Sequence, residues 1–273
     1  MHHFNTILSI PPEGMIKAKV CRILFGGSST VRCPYCCRTG CTRYGEKFHC
    51  RRCKANWSLT SLTWMKGMKL SWQVFWGLLW AYTSKVPIDQ TGRLLKVSRP
   101  TIYRWFELFR KNLPDLEDVR LEGNVQIDEA YFGGRKKGVA VIGAKQKGTS
   151  KVAAIIIPAS SVNRTDILPF LRQHVVPGSK LLSDGALIYK GIGKHWPLEH
   201  EYDLHKKFQF SRTSEIEGFW GALRTHIRRM YHHVTVKKLP EMVREYQYRL
   251  MHPEIFETPL TFLQKTLPTV SFA

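Results

Sequence analysis

The chain has 273 residues, with 42 Lys and Arg against 21 Asp and Glu, a formal net charge of +21. Hydrophobic residues make up 43%, among them 8 Trp and 14 Phe, which excludes a disordered tail or a collagen-like chain and leaves ample material for a core. No run of about 18 apolar residues occurs, so a membrane span is not expected. The longest candidate, Leu70 to Tyr82, is short and is broken by Ser71 and Gln73. The first residues lack the Lys/Arg-led apolar stretch of a signal peptide. Such a basic surface takes polyanions as partners, because each Lys or Arg set against a phosphate releases a counterion. Nucleic acid is expected rather than membrane lipid, since neither a lipidation signal nor a basic amphipathic terminal helix is visible.

Residues 1–30 read as a lead-in ending at Gly26-Gly27-Ser28-Ser29, and residues 31–60 hold a cysteine cluster. The 7 cysteines are odd in number and no secretory signal precedes them, which suits a reduced compartment and a metal rather than disulfides. Cys33-Pro-Tyr-Cys36 and Cys50-Arg-Arg-Cys53 are two Cys-x-x-Cys knuckles with 13 residues between them. Together they supply four thiolates for a tetrahedral structural zinc, with no open position for a substrate. Cys37 and Cys41 are near enough to replace a ligand; Cys36 is assigned because it completes the x-x spacing. Thr42 to His49 can form the hairpin between the knuckles. A fold of about 30 residues has little core, so the metal would supply much of its stability.

Residues 61–118 read as helical. Ser71 can cap a helix whose Trp72, Phe75, Trp76, Leu79 and Tyr82 share one face, and there the aromatics are expected to pack. Ile88 to Leu95, the turn Lys96-Val97-Ser98 and the run from Arg99 to Phe109 outline a helix-turn-helix, with Pro100 in the first turn of its second helix. Arg99, Thr101, Tyr103 and Arg104 would then face the major groove.

Residues 119–265 change pattern. Short β-branched runs occur at Val125 to Ile127, Val139 to Ile142, Val152 to Ile157 and Lys180 to Leu182, with a helical stretch, Asp166 to His174, between the last two. Basic helices are expected from Ser214 to Met230 and from Leu239 to Arg249, then a tail at 266–273. This order predicts an α/β core with a mixed sheet. Asp128 and Asp184 each end an apolar strand, where a carboxylate is costly unless something pairs with it. A divalent cation between them offsets both burial and repulsion, and oxygen ligands suit magnesium or manganese. On the first basic helix Glu217, Gly221, Arg224 and Arg228 share a face. Asp128, Asp184 and Glu217 thus fit a ribonuclease-H-like core, in which two strands and a later helix supply the acids.

Ile127-Asp-Glu-Ala-Tyr-Phe-Gly-Gly134, Ser183-Asp184-Gly185 with Tyr189, Ile216-Glu217-Gly-Phe-Trp220 and Tyr231-His232-His233-Val234 resemble the insertion-sequence DDE-type transposases that carry an N-terminal zinc ribbon and helix-turn-helix, the ISXO-type group related to eukaryotic Merlin elements. The resemblance spans roughly residues 28–265. It implies a transposase that binds terminal inverted repeats of double-stranded DNA, cleaves the element ends and joins them to a target, acting as a dimer or larger assembly in the cytoplasm at the nucleoid. Asp128 would bridge two magnesium or manganese ions, with Asp184 and Glu217 holding one each and Arg224 completing the catalytic set. Lys206, Lys207, Arg224, Arg228 and Arg229 would position DNA phosphates. Ser214 stands where many relatives carry Asn, which leaves Glu215 and Ser214 as alternatives for the third position. It also keeps open a catalytically inactive zinc-ribbon, helix-turn-helix regulator. A nuclease acting on RNA hybrids is a second rival. His205, His232 and His233 are read as surface or packing groups before ligands.

Overall fold

The computed structural model describes residues 10–27, 31–44, 46–116, 119–133, 138–159, 162–203 and 212–268. The chain divides into two compact units, Met1–Pro114 with Glu254–Ala273, and Asp115–Pro253.

In the first unit, helix α1 (Glu13–Leu24) buries Ile16, Val20 and Leu24 at four-residue spacing. Gly26 and Gly27 end it with φ of 60° and 82°, values that cost glycine nothing. An antiparallel sheet follows, β1 (Cys41–Tyr44), β2 (Lys47–Cys50) and β3 (Asn56–Ser58), in the order β1-β2-β3. The expected hairpin is its first two strands. The third brings Trp57 face to face with Phe48, ring centroids 4.2 Å apart, a small apolar core under the knuckles.

Helix α2 (Trp72–Thr83) starts where the Ser71 hydroxyl accepts the Val74 N–H at 3.3 Å. Trp72, Phe75, Trp76, Leu79 and Tyr82 are all buried, as expected of a packing face. Gly77, Leu78 and Ala81 are buried too, so the helix is enclosed on nearly every side and forms the centre of its unit. Helix α3 (Ile88–Leu95) ends at Lys96, whose φ of 53° makes the tight turn into α4 (Arg99–Lys111). Phe75 packs edge-on against Trp105 of α4 at 5.5 Å.

The sequence pattern places residues 254–265 with the core domain. In the structure they fold with α2 instead. After α5 (Arg164–His174), α6 (Ser214–Tyr231) and α7 (Leu239–Met251), helix α8 (Pro259–Thr266) seats Phe262 against Tyr82, centroids 5.6 Å apart. Helical periodicity identifies an apolar face but not the surface that covers it.

The second unit is a ribonuclease-H-like α/β fold. Its mixed sheet comprises β4 (Asn124–Phe132), β5 (Val139–Gln146), β6 (Val152–Pro158), β7 (Lys180–Ser183) and β8 (Glu199–Tyr202), in the order β6-β5-β4-β7-β8. The first three strands pair antiparallel; β7 and β8 are parallel to β4. One face of β4 sends Val125 and Ile127 into a cluster with Phe170 and Leu171 of α5. The other packs Ala130 with Ile216 and Trp220 of α6 and Val243 of α7.

Two elements differ from expectation. Strand β8 is a charged edge strand, and its Glu201 pairs with Lys180 at 2.9 Å, so no apolar alternation announces it. Strand β4 does not end at Ile127 but runs to Phe132, because β5 continues to pair with it as far as Phe132↔Val139.

Candidate active site and metal centre

Asp128 therefore lies inside a strand. Pairing of β4 with β7 runs Asn124↔Lys180, Val125↔Leu181, Gln126↔Leu182 and stops there. Beyond Gln126 the parallel neighbour is gone, so Asp128 sits where β4 is flanked by β5 alone. The register offset is 180 − 124 = 56, and the same offset separates Asp128 from Asp184, so the two acids stand level where β7 ends. The spacing of these two residues along the chain is the register of the sheet.

Asp128 and Glu129 are neighbours that face opposite ways, as a strand requires. The Asp128 side chain lies on the α6 side, where Oδ2 accepts the Trp220 indole N–H at 3.1 Å. Burial, with the charges of Asp184 and Glu217, pushes its carboxyl up to about 6 against the backbone and Trp220 donors. Glu129 lies on the other face and accepts the hydroxyl of fully buried Tyr189 at 2.6 Å. Burial pushes this carboxyl up to about 7, with the charges of Asp128 and Asp184 adding to it.

The Trp220 ring packs against the sheet beside Asp128. A Cβ on Gly143, the β5 partner of Asp128, would meet that ring at 2.6 Å, so only glycine leaves room for it. Asp184 Oδ1 accepts the Ala186 N–H at 2.9 Å, and Gly185 turns the chain with φ of 79°. Glu217, exposed on the first turns of α6, has Oε1 held by the Thr213 hydroxyl at 2.7 Å. Each of the three acids thus has one oxygen oriented by a nearby donor.

Glu215 faces elsewhere. Its carboxylate binds Lys145 Nζ at 2.5 Å and accepts the Gly148 N–H at 3.0 Å, an arrangement led by the Lys145 bond that holds it below the usual carboxylate range. Ser214 is exposed at the first position of α6. Arg224 is exposed with its guanidinium 5.2 Å from the Phe132 ring, and Arg228 and Arg229 are exposed further along α6. His232 and His233 are exposed at the end of that helix. His205, Lys206 and Lys207 lie outside the described residues.

Sequence reasoning missed Gln126, Thr213 and Lys145 as partners of this site. Gln126 carried a signal: a polar amide at the centre of the apolar run Val125-Gln126-Ile127 needs a partner once buried.

In the other unit the four cysteine sulfurs all lie within 4.8 Å of one another. Cys33 Sγ is 3.5 Å from Cys53 Sγ, and Cys36 Sγ is 3.6 Å from Cys50 Sγ. A tetrahedron with Zn–S bonds of about 2.3 Å has edges of about 3.8 Å, so the four residues fit zinc. Backbone N–H groups of Cys53 and Arg52 at the Cys50 sulfur hold its thiol down to about 6, which favours the thiolate a metal takes. Cys37 and Cys41 stay outside the quartet. Cys37 has a φ of 58° in the first knuckle, and Cys41 pairs across the hairpin with Cys50, where burial pushes its thiol up to about 11.

Among the predicted DNA contacts, Arg99 and Arg104 are exposed on the first turns of α4, while Thr101 and Tyr103 are half-buried. Arg99 Nε lies 3.3 Å from Asp89 of α3, and its guanidinium lies over the Tyr103 ring at 5.8 Å. Thr101 and Ser98 hydroxyls are 2.9 Å apart at the helix start.

The strand order and the helices on both faces of the sheet define a ribonuclease-H-like domain, and Asp128, Asp184 and Glu217 lie on β4, after β7 and on α6. Residues 120–250 match the family described as the ISXO2-like transposase domain. The matched residues make up most of the second unit, which is thus similar to the insertion-sequence DDE transposases. No sequence among curated proteins matches the chain. A solved simian T-cell lymphotropic virus intasome, in complex with PP2A regulatory subunit B56 gamma, is similar at 12% identity. That match covers 64% of this chain and 68% of the matched chain, with a TM-score of 0.37. Among the described residues no helix is long and apolar enough to cross a membrane.

Proposed function

We propose that this protein is an active DNA transposase that binds the inverted repeats at the ends of its element, cleaves there and joins the 3′ ends to a target. The observation that supports this reading most is that Asp184 stands level with a half-buried Asp128 in the sheet register while Glu217 lies on the helix packed over it, three acids remote in sequence whose charges act on one carboxyl. Like charges gathered at a half-buried site are unfavourable without a cation, and carboxylate oxygens suit magnesium or manganese. Among the described residues only the cysteine group meets the 4.8 Å spacing, so the acids are set wider than one shared ion needs. The reading therefore takes the two-cation form of phosphoryl-transfer sites, with ions about 3.5–4 Å apart.

Asp128 would be the shared ligand, with Asp184 and Glu217 on either side. When bound, such cations polarise the scissile phosphate and lower the pKa of an attacking water or DNA hydroxyl. The chain's own part is orientation. Trp220 fixes the Asp128 carboxylate, the Ala186 amide fixes Asp184 and Thr213 fixes Glu217. Arg224, Arg228 and Arg229 supply positive charge along α6, where phosphates would be held without sequence reading. Recognition of the ends falls to the α3–α4 pair, through Arg99 and Arg104, and to the zinc ribbon. Assembly as a dimer or larger complex follows from the need to join two ends, and the cytoplasmic nucleoid is where the substrate lies.

The test is Asp128→Asn on a labelled element end with magnesium or manganese. Cleavage is expected to fall by a factor on the order of 1000 or more while end binding persists. Cleavage at the wild-type rate would end this reading. An intact wild-type chain that binds ends but never nicks them would favour the inactive regulator.

A further inference from the structure

Helix α6 starts in an unusual way. Its N-cap residue, Thr213, is fully buried but makes no capping bond to the helix backbone. Its hydroxyl is directed to Glu217 Oε1 instead. The first N–H groups of a helix have no partner within the helix and must find one elsewhere. Here the partner comes from the sheet. The side-chain oxygen of Gln126, fully buried on β4, accepts both the Glu215 N–H at 3.0 Å and the Ile216 N–H at 2.9 Å.

A second grip lies beside it. Lys145 is the β5 partner of Gln126, and its ammonium holds the Glu215 carboxylate, which also takes the Gly148 N–H. The first turn of α6 is thus held on β4 and β5 by its backbone and by one side chain. Gln126 and Asp128 are two residues apart on the same face of β4, roughly 6.5 Å along the strand. One end of that short rigid span carries an acid, and the other fixes where the helix bearing Glu217 begins.

We infer that Gln126 is a positioning residue: by capping α6 from the sheet it sets the distance between Asp128 and Glu217, with Lys145 and Glu215 as an accessory clamp. This rests on the reading of the acids as cation ligands. It also assigns Glu215 to the clamp and not to the ligand set. A cation pair needs its ligands held to within a fraction of an ångström, and a helix start displaced along the sheet carries Glu217 with it.

The experiment is Mn2+ binding by the full-length chain, followed by the loss of the free-ion electron paramagnetic resonance signal. Gln126→Met keeps size and burial but removes the acceptor. It is expected to weaken Mn2+ binding about 10-fold, as loss of a group that orients a metal ligand does. Gln126→Glu, which can accept both N–H groups, is expected to return within about threefold of wild type. Glu215→Gln is expected to cost about threefold, far less than Asp128→Asn. Thermal melting separates affinity from folding, since a merely structural role would lower the melting temperature and the bound fraction without moving the affinity of folded molecules. If Gln126→Met folds poorly, the Glu215→Gln comparison still decides the clamp. Wild-type affinity in Gln126→Met, no rescue by Gln126→Glu, or loss in Glu215→Gln equal to that in Asp128→Asn would each overturn the inference. Mn2+ binding unaffected by Asp128→Asn would instead overturn the reading of the acids themselves.

Discussion

The cysteine quartet and the acid trio are two ways of gathering ligands. Cys33 and Cys53 are 20 positions apart, and a single hairpin brings their sulfurs to 3.5 Å. Asp128 and Glu217 are 217 − 128 = 89 positions apart, and their placement needs a five-stranded sheet and a helix packed on it, whose Trp220 bonds Asp128. In the first region a bound metal would organise the fold, because so few residues bury little apolar surface. In the second the sheet and α6 fix where each acid stands before any ion is present. A ligand set built from neighbours in sequence can therefore depend on its ion for folding. One built from remote residues must be stable without it.

That contrast predicts what breaks each region. Cys50→Ser is expected to abolish tight zinc binding and unfold the ribbon, a loss on the order of 10 kcal/mol of metal-linked stability, while residues 115–253 keep their own melting transition. Zinc content and a two-transition calorimetric scan check it; simultaneous loss of both transitions would mean that the contrast is false. Gly143→Ala is expected to destabilise the second unit by about 1–3 kcal/mol, because the new methyl group meets a buried indole and no space exists to receive it. Denaturant unfolding measures this, and unchanged stability would show that Trp220 does not lie where it is described.

The acids also set a pH dependence. Asp128 and Glu129 have carboxyls raised to about 6 and about 7. Between about pH 4.5 and the raised values the folded chain holds protons that the unfolded chain has released, so stability falls as pH rises through this window. Without added magnesium the second unit is expected to lose roughly 2 kcal/mol from about pH 5 to pH 8, about half the full linkage value because solvent screens half-buried carboxylates. Glu129→Gln should flatten that slope, and melts across the pH range would reveal a steeper or inverted one. The smallest effect is expected at the helix-turn-helix: Arg104→Ala should weaken binding to element ends by about 1–2 kcal/mol and leave cleavage chemistry intact. Equal weakening on unrelated DNA would move Arg104 from base reading to phosphate contact.

Much of the fold was legible because periodicity is a local property. The strands at 139 and 152 and the helices at 72, 88, 99, 214 and 239 begin where the pattern of apolar residues begins. The clamp on α6 was not legible, because nothing near Gln126 in sequence names Glu215 and Ile216 as its partners. Adjacent acids look alike in a string of letters, and only the side of the sheet on which α6 lies separates one that meets Trp220 from one that meets Tyr189. Glu215 and Glu217 differ in the same way on the helix: Lys145 holds the first and the Thr213 hydroxyl the second.

By itself the amino-acid order marked the cysteine quartet, the short helix, turn and second helix of α3 and α4, the excess of positive charge and the three acids to watch. Each depends on residue type and on spacing within about one element, which a linear chain records directly. The tertiary structure alone decided that α8 joins the first unit, that Asp128 stands inside β4 where β7 stops, and that a glutamine from the sheet caps the helix bearing Glu217. Those outcomes depend on which surfaces bury one another and in what register, a choice made by the whole chain at once.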